Sequence, residues 1–201
     1  MKKQSSSRKQ FIGLILIFAI PTIAAWFFIY NPEFLPSSRA NKGELVHPQI
    51  AIKPFEFKDI SNNTITSKGS YKDYWTFIVI AGESCDNVCR QRIHDMRQVR
   101  KALEEDYIRV KRLVVVSSNE ADESLVSYLK PYHGTDVISQ NKGVAENIIN
   151  TFGGGSDIIN NLFVMDPMQN VMMYYTPQHS AKDLLTDMKR LLKINQWGAG
   201  H

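Results

Sequence analysis

Residues 74–103, YWTFIVIAGESCDNVCRQRIHDMRQVRKAL, constrain the fold of this chain more than any other stretch. The apolar run at 75–80 is unbroken, as in a central strand covered on both faces. A turn at Ala81-Gly82-Glu83-Ser84 follows, then Cys85 opens a helix expected to run from 86 to about 105. Cys89, Ile93, Met96, Val99 and Leu103 recur at the three-and-four spacing of one buried helix face. Arg92, Asp95, Arg97, Arg100 and Lys101 fall on the other side, where a solvated face is expected. Cys85 and Cys89 are the only two cysteines, so a zinc ribbon or a disulfide framework is excluded and one close pair remains.

Two cysteines four apart on a helix project from one side, with α-carbons ~6 Å apart, close enough for a disulfide. Reduced, two thiolates at this spacing suit a soft ion such as copper(I). Cys85 in the first turn feels the positive helix end, which favours its thiolate. Arg90 and Arg92 reinforce that effect, and Glu83 and Asp86 oppose it. Cys89 shares the register of Ile93 and Met96, so it is expected to be the buried member and Cys85 the exposed attacker. The alternative is a purely stabilising disulfide, although so short a loop closes little chain entropy.

Residues 11–30 carry no charge over 20 positions, enough at ~1.5 Å per residue to span a bilayer core. Trp26 and Tyr30 sit toward the outer end, where amphipathic rings favour the interface. Lys2, Lys3, Arg8 and Lys9 precede the run, which holds the N-terminus in the cytoplasm and sends the rest across. In a Gram-negative cell the destination is the periplasm. A cleavable signal would have a shorter core, and Trp26-Phe27-Phe28 stands where its cleavage site should end, so an uncleaved single-pass anchor is expected. Those four cations account for the net charge of +4, and the remaining body is neutral. Nothing in it argues for nucleic-acid binding.

The remaining order follows from turn signals and periodicity. Residues 1–10 form a basic cytoplasmic start, 11–30 the anchor, 31–43 a linker rich in proline and serine, 44–195 one domain and 196–201 a tail. Within the domain, 44–58 reads as extended edge pieces and 61–72 as polar turns. Strands are expected at 75–80, 108–117, 162–165 and 171–175, with the last two joined as a hairpin. Helices are expected at 86–105, 120–128, 144–152 and 180–193, and 132–143 reads as loop. Ser180 and Asp183 make an acidic variant of the capping box, and Leu184, Leu185, Met188, Leu191 and Leu192 form that helix's apolar face. Strand, helix, strand, helix pair, hairpin, helix is an α/β, thioredoxin-like layout: a central mixed sheet flanked by helices, preceded here by a single transmembrane helix.

With these pieces in place the chain resembles the Sco/SenC copper chaperones, and more closely a set of small bacterial membrane proteins encoded beside cytochrome oxidase assembly factors. The resemblance rests on the anchor and on Asn41-Lys42-Gly43-Glu44-Leu45. It continues through the Cys85-x-x-x-Cys89 helix running into Arg97-Gln98-Val99-Arg100 and through Leu162-Phe163-Val164-Met165-Asp166-Pro167. Met172-Met173 and the closing Asp187-Met188-Lys189-Arg190-Leu191-Leu192-Lys193 complete it. It implies a part in cytochrome c oxidase biogenesis, with Cys85 and Cys89 as catalytic or copper(I)-binding residues and with oxidase subunits or other assembly factors as partners. Two departures stand out. Arg90 replaces the proline that Sco proteins carry after the second cysteine, and Ser156-Asp157-Ile158-Ile159-Asn160-Asn161 lacks their histidine ligand.

Two other functions fit the same residues: a general periplasmic thiol–disulfide oxidoreductase, and a non-catalytic assembly scaffold. His133 and His179 lie in loops that a third ligand could occupy, but solvated loop positions are expected of both. His94 is out of phase with the cysteines, and His47 and His201 have no partner in the pattern. Met168, Met172 and Met173 at strand spacing are expected to fill the core and its edge. The arginines from 90 to 100 read as a solvated face, or as one that docks a partner or anionic lipid. Gly153-Gly154-Gly155 follows no strand and lacks a lysine, so it is no phosphate loop.

Overall fold

The computed structural model describes residues 4–31, 34, 41–58, 63–82, 85–117, 123–138 and 142–194. Most of the linker, the turn residues Glu83 and Ser84, the start of the second expected helix and the C-terminal tail lie outside them. The chain divides into two compact units, Met1–Ala40 and Asn41–His201. The first is the helix α1 (Gln4–Tyr30), within which Gln10–Tyr30 is long and apolar enough to cross a membrane. Phe11, Ile17, Phe18, Ile23 and Ile29 stand exposed along it, as they would in a helix whose apolar solvent is lipid.

The second unit begins with β1 (Glu44–Ala51), followed by the small antiparallel pair β2 (Glu56–Lys58) and β3 (Thr64–Thr66). Next come β4 (Trp75–Ala81), α2 (Asn87–Ala102), β5 (Val110–Val116) and α3 (Glu123–Leu129). The chain finishes with β6 (Asp136–Ile138), α4 (Lys142–Thr151), β7 (Leu162–Met165), β8 (Asn170–Tyr175) and α5 (Ala181–Ile194). Six strands form one mixed sheet in the order β1-β8-β7-β4-β5-β6. β4, β5 and β6 run parallel, and β7, β8 and β1 join antiparallel. This is the thioredoxin-like arrangement expected from the element order.

β4 is central, and all seven of its residues are buried. Phe77, Val79 and Ala81 face one core, shared with Cys85, Cys89, Ile93 and Met96 from the α2 segment and with Leu184, Met188 and Leu192 of α5. Ile78 and Ile80 face the other, with Leu113, Val115 and Ile148 of α4. Each such side chain contributes roughly 1.5–3 kcal/mol relative to exposure, which explains the unbroken apolar run at 75–80.

Four expectations about elements need correction. The stretch read as polar turns at 61–72 contains β3 and a helical turn at Ser67–Tyr71. The helix expected from 86 to about 105 is α2, which starts at Asn87 with Asp86 as its N-cap; it stops at Ala102 because Glu104 adopts a left-handed φ of 54° and the chain tightens into a 3-10 turn to Arg109. That turn takes the first two residues expected in the next strand. The stretch read as loop at 132–143 contains β6, which pairs with β5 from Leu113↔Asp136 to Val115↔Ile138. At three residues it is too short to show alternation, and only its neighbour identifies it. The glycines at 153, 154 and 155 all have positive φ, ending α4 in a conformation that favours glycine.

Candidate functional site

β4 delivers the chain to the cysteines through Gly82, which is buried, and through Glu83 and Ser84, which lie outside the described residues. Asp86 then caps α2 with an extended backbone (φ −70°, ψ −174°), its carboxylate accepting the N–H of Cys89 at 2.8 Å. The first main-chain helical bond runs from the Arg90 N–H to the Asp86 carbonyl at 3.0 Å. Cys85 and Cys89 are joined as a disulfide with α-carbons 5.2 Å apart. One residue of the pair is therefore inside the helix and the other ahead of its cap.

This geometry corrects the expected roles. Cys85 is not in the first helical turn, and Asp86 answers the positive helix end with its own carboxylate. Nor is Cys85 exposed: it is 5% accessible against 1% for Cys89. The order of burial is as expected from the register of Cys89 with Ile93 and Met96. The contrast is far smaller, because the disulfide draws both sulfurs into the core under β4 and α2.

The arginines also differ from the solvated face that their spacing suggests. Arg92 is buried, donating from Nη1 to the His179 carbonyl at 3.0 Å and lying 3.9 Å from Asp95; burial pulls its pKa down. Arg90, beside Cys89, lies 5.6 Å above the Tyr128 ring, while the Tyr128 hydroxyl donates to the Arg90 carbonyl at 3.1 Å. Tyr132 in turn donates to the Tyr128 hydroxyl at 2.7 Å. Burial, then the bond from Tyr132, pushes the Tyr128 phenol up to about 12, against the pull of Arg90 and Arg97. A long flexible side chain finds a ring or carbonyl that its spacing along the helix cannot reveal.

No third ligand joins the sulfurs among the described residues. Among the described residues no group of three or more His, Cys, Asp or Glu side chains is placed to hold a metal ion. His179 is tied into its own turn, where Nδ1 accepts the Thr176 N–H at 3.1 Å and the ring stands edge-on to Tyr175. His133 is exposed and His94 half-buried on α2. Met173 is buried, its sulfur 2.8 Å from the Tyr175 hydroxyl oxygen, while Met172 is half-buried and Met168 exposed. The stretch before β7, where the resemblance would place a histidine, docks to β4 through its backbone instead. The Asn160 N–H donates to the Ile80 carbonyl at 2.8 Å, and the Ile80 N–H donates to the Asn161 carbonyl at 3.4 Å. Asn160 has a φ of 64°, a left-handed conformation in which asparagine is among the favoured residues. Its Oδ1 is buried without a hydrogen-bond partner.

Among the described residues the donor set thus fits copper(I) held by two thiolates after reduction, with no third ligand beside them. It fits thiol–disulfide exchange without any further residue.

Residues 75–195 match the family model described as transmembrane-like, thioredoxin-like, C-terminal domain. No curated protein matches the sequence. Among solved structures, yeast Sco1 is 17% identical with a TM-score of 0.63, over 75% of this chain and 98% of that one. Copper-bound ScoI of Bradyrhizobium japonicum is 18% identical with a TM-score of 0.57, over 70% and 98%. BsSco, described as a member of the Sco family of cytochrome c oxidase assembly proteins and as carrying a disulfide switch, is 16% identical with a TM-score of 0.58, over 74% and 96%. At these identities the likeness is one of fold.

Proposed function

We propose that this chain, which belongs to the family of transmembrane-like, thioredoxin-like C-terminal domains, is a membrane-anchored thiol protein of cytochrome c oxidase biogenesis. Its working residues are Cys85 and Cys89, which alternate between disulfide and dithiol, and the dithiol takes copper(I) as cargo. The observation that carries this reading is the Cys85–Cys89 disulfide at the strand-to-helix end of a Sco-like sheet. The uncharged helix supports the anchor, and the cations before it favour a domain on the far side, which in a Gram-negative cell is the periplasm.

The exchange chemistry is ordinary and balanced. The Cys85 thiolate attacks a partner disulfide, expelling one partner thiolate and forming a mixed disulfide. The Cys89 thiolate then attacks the Cys85 sulfur, releasing the second partner thiolate and closing the Cys85–Cys89 bond. Two electrons pass to the partner, and an external dithiol restores the pair. Cys85 is given the attack because it is the less buried sulfur and lies outside the helix cap.

Anaerobic copper(I) titration of the full chain in detergent tests the cargo. One tight equivalent on the reduced protein is expected, none on the oxidised protein, and none when either cysteine is serine. A reduced protein that binds no copper(I) but turns over disulfide substrates would show a general oxidoreductase instead.

A further inference from the structure

The C-terminal half of α2 carries a second feature, independent of the cysteines. Arg112 sits on β5 with its side chain toward the α2 layer and is only 4% accessible. Its Nη2 donates to the His133 carbonyl at 2.6 Å, and its Nε is buried with no partner. Arg100 donates from Nε to the Val110 carbonyl at 2.6 Å and lies 4.9 Å above the Tyr107 ring. Arg97, one turn earlier on the same face, lies 4.9 Å above the ring of Tyr132, the neighbour of His133. Three guanidinium groups therefore converge on the strip between Val110 and His133.

Every partner named for them is neutral. Among the described residues none of the three has a carboxylate within ion-pair distance; the two ion pairs are Arg92–Asp95 and Arg109–Asp106. Among the described residues Asp136 is the acid that favours the charge on Arg112, and it accepts the Tyr71 hydroxyl at 2.7 Å. Burial, then Arg100 and Arg97, pushes the Arg112 pKa down to about 10, and it still keeps its charge at neutral pH. A buried cation with no carboxylate within ion-pair distance is expensive, and carbonyls, ring faces and the more distant Asp136 offset only part of that cost. They do hold the three planar forks in place, so an incoming anion need not order them.

We propose that Arg97, Arg100 and Arg112 form a binding site for a phosphate-type oxyanion. A tetrahedral anion presents several oxygens in different directions and can accept from three separate guanidinium groups at once, whereas a single carboxylate is exhausted by one bidentate pair. Arg97 and Arg100 are half-buried and form the entrance, and Arg112 forms the floor. The phosphate belongs either to a free phosphate or phosphate monoester, or to a lipid headgroup.

The test is thermal unfolding of the full chain in phosphatidylcholine nanodiscs, with inorganic phosphate titrated against chloride at equal ionic strength. A phosphate-specific rise in Tm is expected. Loss of one charge-assisted contact in Arg97→Ala or Arg100→Ala should raise the apparent Kd by about tenfold or more. Nanodiscs containing phosphatidic acid form the second arm. A rise seen only there, and lost in Arg97→Ala, assigns the site to a lipid phosphate. The proposal is overturned if neither arm raises Tm in the wild type, or if both Arg97→Ala and Arg100→Ala respond like the wild type. It is also overturned if a polyglutamate peptide stabilises the protein and phosphate does not.

Discussion

α2 and α5 cover the same face of the sheet and pack against each other, yet they spend their buried positions differently. α5 presents Leu184, Met188 and Leu192 to the core and adds one buried acid, Asp187. α2 presents Ile93, Met96 and Val99, and adds a half-disulfide at its start and a buried arginine, Arg92. The acid on α5 is anchorage. Its Oδ2 accepts the N–H groups of Lys42 and Gly43 at 2.7 and 2.9 Å and the Tyr175 hydroxyl at 2.9 Å, fixing the entry of the chain into the domain. The sulfurs at the start of α2, one inside the helix and one ahead of its cap, make no such long-range tie; they bond to each other across four residues. A polar group that joins distant segments does structural work, while a pair that joins only its neighbours is available for chemistry.

The sharpest way to break this contrast is to remove both sulfurs. Replacing Cys85 and Cys89 together by serine should abolish copper(I) binding and dithiol turnover completely. Asp187→Asn should leave both within about twofold, because among the described residues its partners are Lys42, Gly43 and Tyr175 and not the cysteines, consistent with additivity between separated sites. Oxidase assembly supported equally by the double serine variant would make the protein a scaffold.

Stability should show the reverse order. Asp187→Asn keeps the shape but loses the charge that three donors share, a cost of about 1.5–3 kcal/mol by urea unfolding. Gly43→Ala tests the same joint from the other side, since a Cβ there would lie 2.5 Å from the Tyr175 ring. Overpacking of that kind costs typically about 1–3 kcal/mol. Burial, then Asp187, pushes the Tyr175 phenol far above its ordinary 10.0. A raised folded pKa means that this stabilisation is complete below pH 10 and is lost as pH rises above it. Asp187→Asn should flatten that alkaline loss.

How much of this was legible depends on reach. Apolar side chains on α2 and α5 obey the helical period, because a leucine or isoleucine cannot leave the face it starts on. The strands at 75–80 and 162–165, the hairpin and the Ser180 cap were readable for the same local reason. Arginine obeys no such period. Arg92 reaches the His179 carbonyl and Arg97 reaches Tyr132, both on segments far away in sequence. Asp187 falls among leucines in the sequence and looks like an interruption until Gly43 and Tyr175 are brought beside it. β6 has too few residues to carry a pattern, and only β5 makes it a strand. At the site itself, spacing identified the pair and its order of burial. The position of the Asp86 cap, which sets Cys85 ahead of the helix, depends on the turn and not on any periodicity.

Reduction sharpens the comparison at a smaller scale. The Cys85–Cys89 loop is short, so in the chain-entropy account its bond contributes no more than about 2 kcal/mol. Urea unfolding with and without dithiothreitol should differ by that amount or less. A larger difference would return the disulfide to a structural role and bring α2 closer to α5 in character.

The smallest effect is expected at the two helix starts. Asp86 caps α2 by accepting the Cys89 N–H, and in α5 the Asp183 carboxylate accepts both the N–H and the hydroxyl of Ser180, at 2.9 and 2.7 Å. Those bonds from Ser180 hold the Asp183 pKa below its ordinary 3.8. A folded pKa that is depressed gives stability present above pH 3.8 and lost as pH falls through the lower folded value. Asp183→Asn should therefore cost about 1 kcal/mol or less at neutral pH and remove that part of the acid slope, with thiol chemistry untouched. The matching variant Asp86→Asn should cost a similar amount, but it also alters the charge beside Cys85. A change in the alkylation rate of the reduced pair in Asp86→Asn, absent in Asp183→Asn, would show that the two capping carboxylates serve different ends on the two helices.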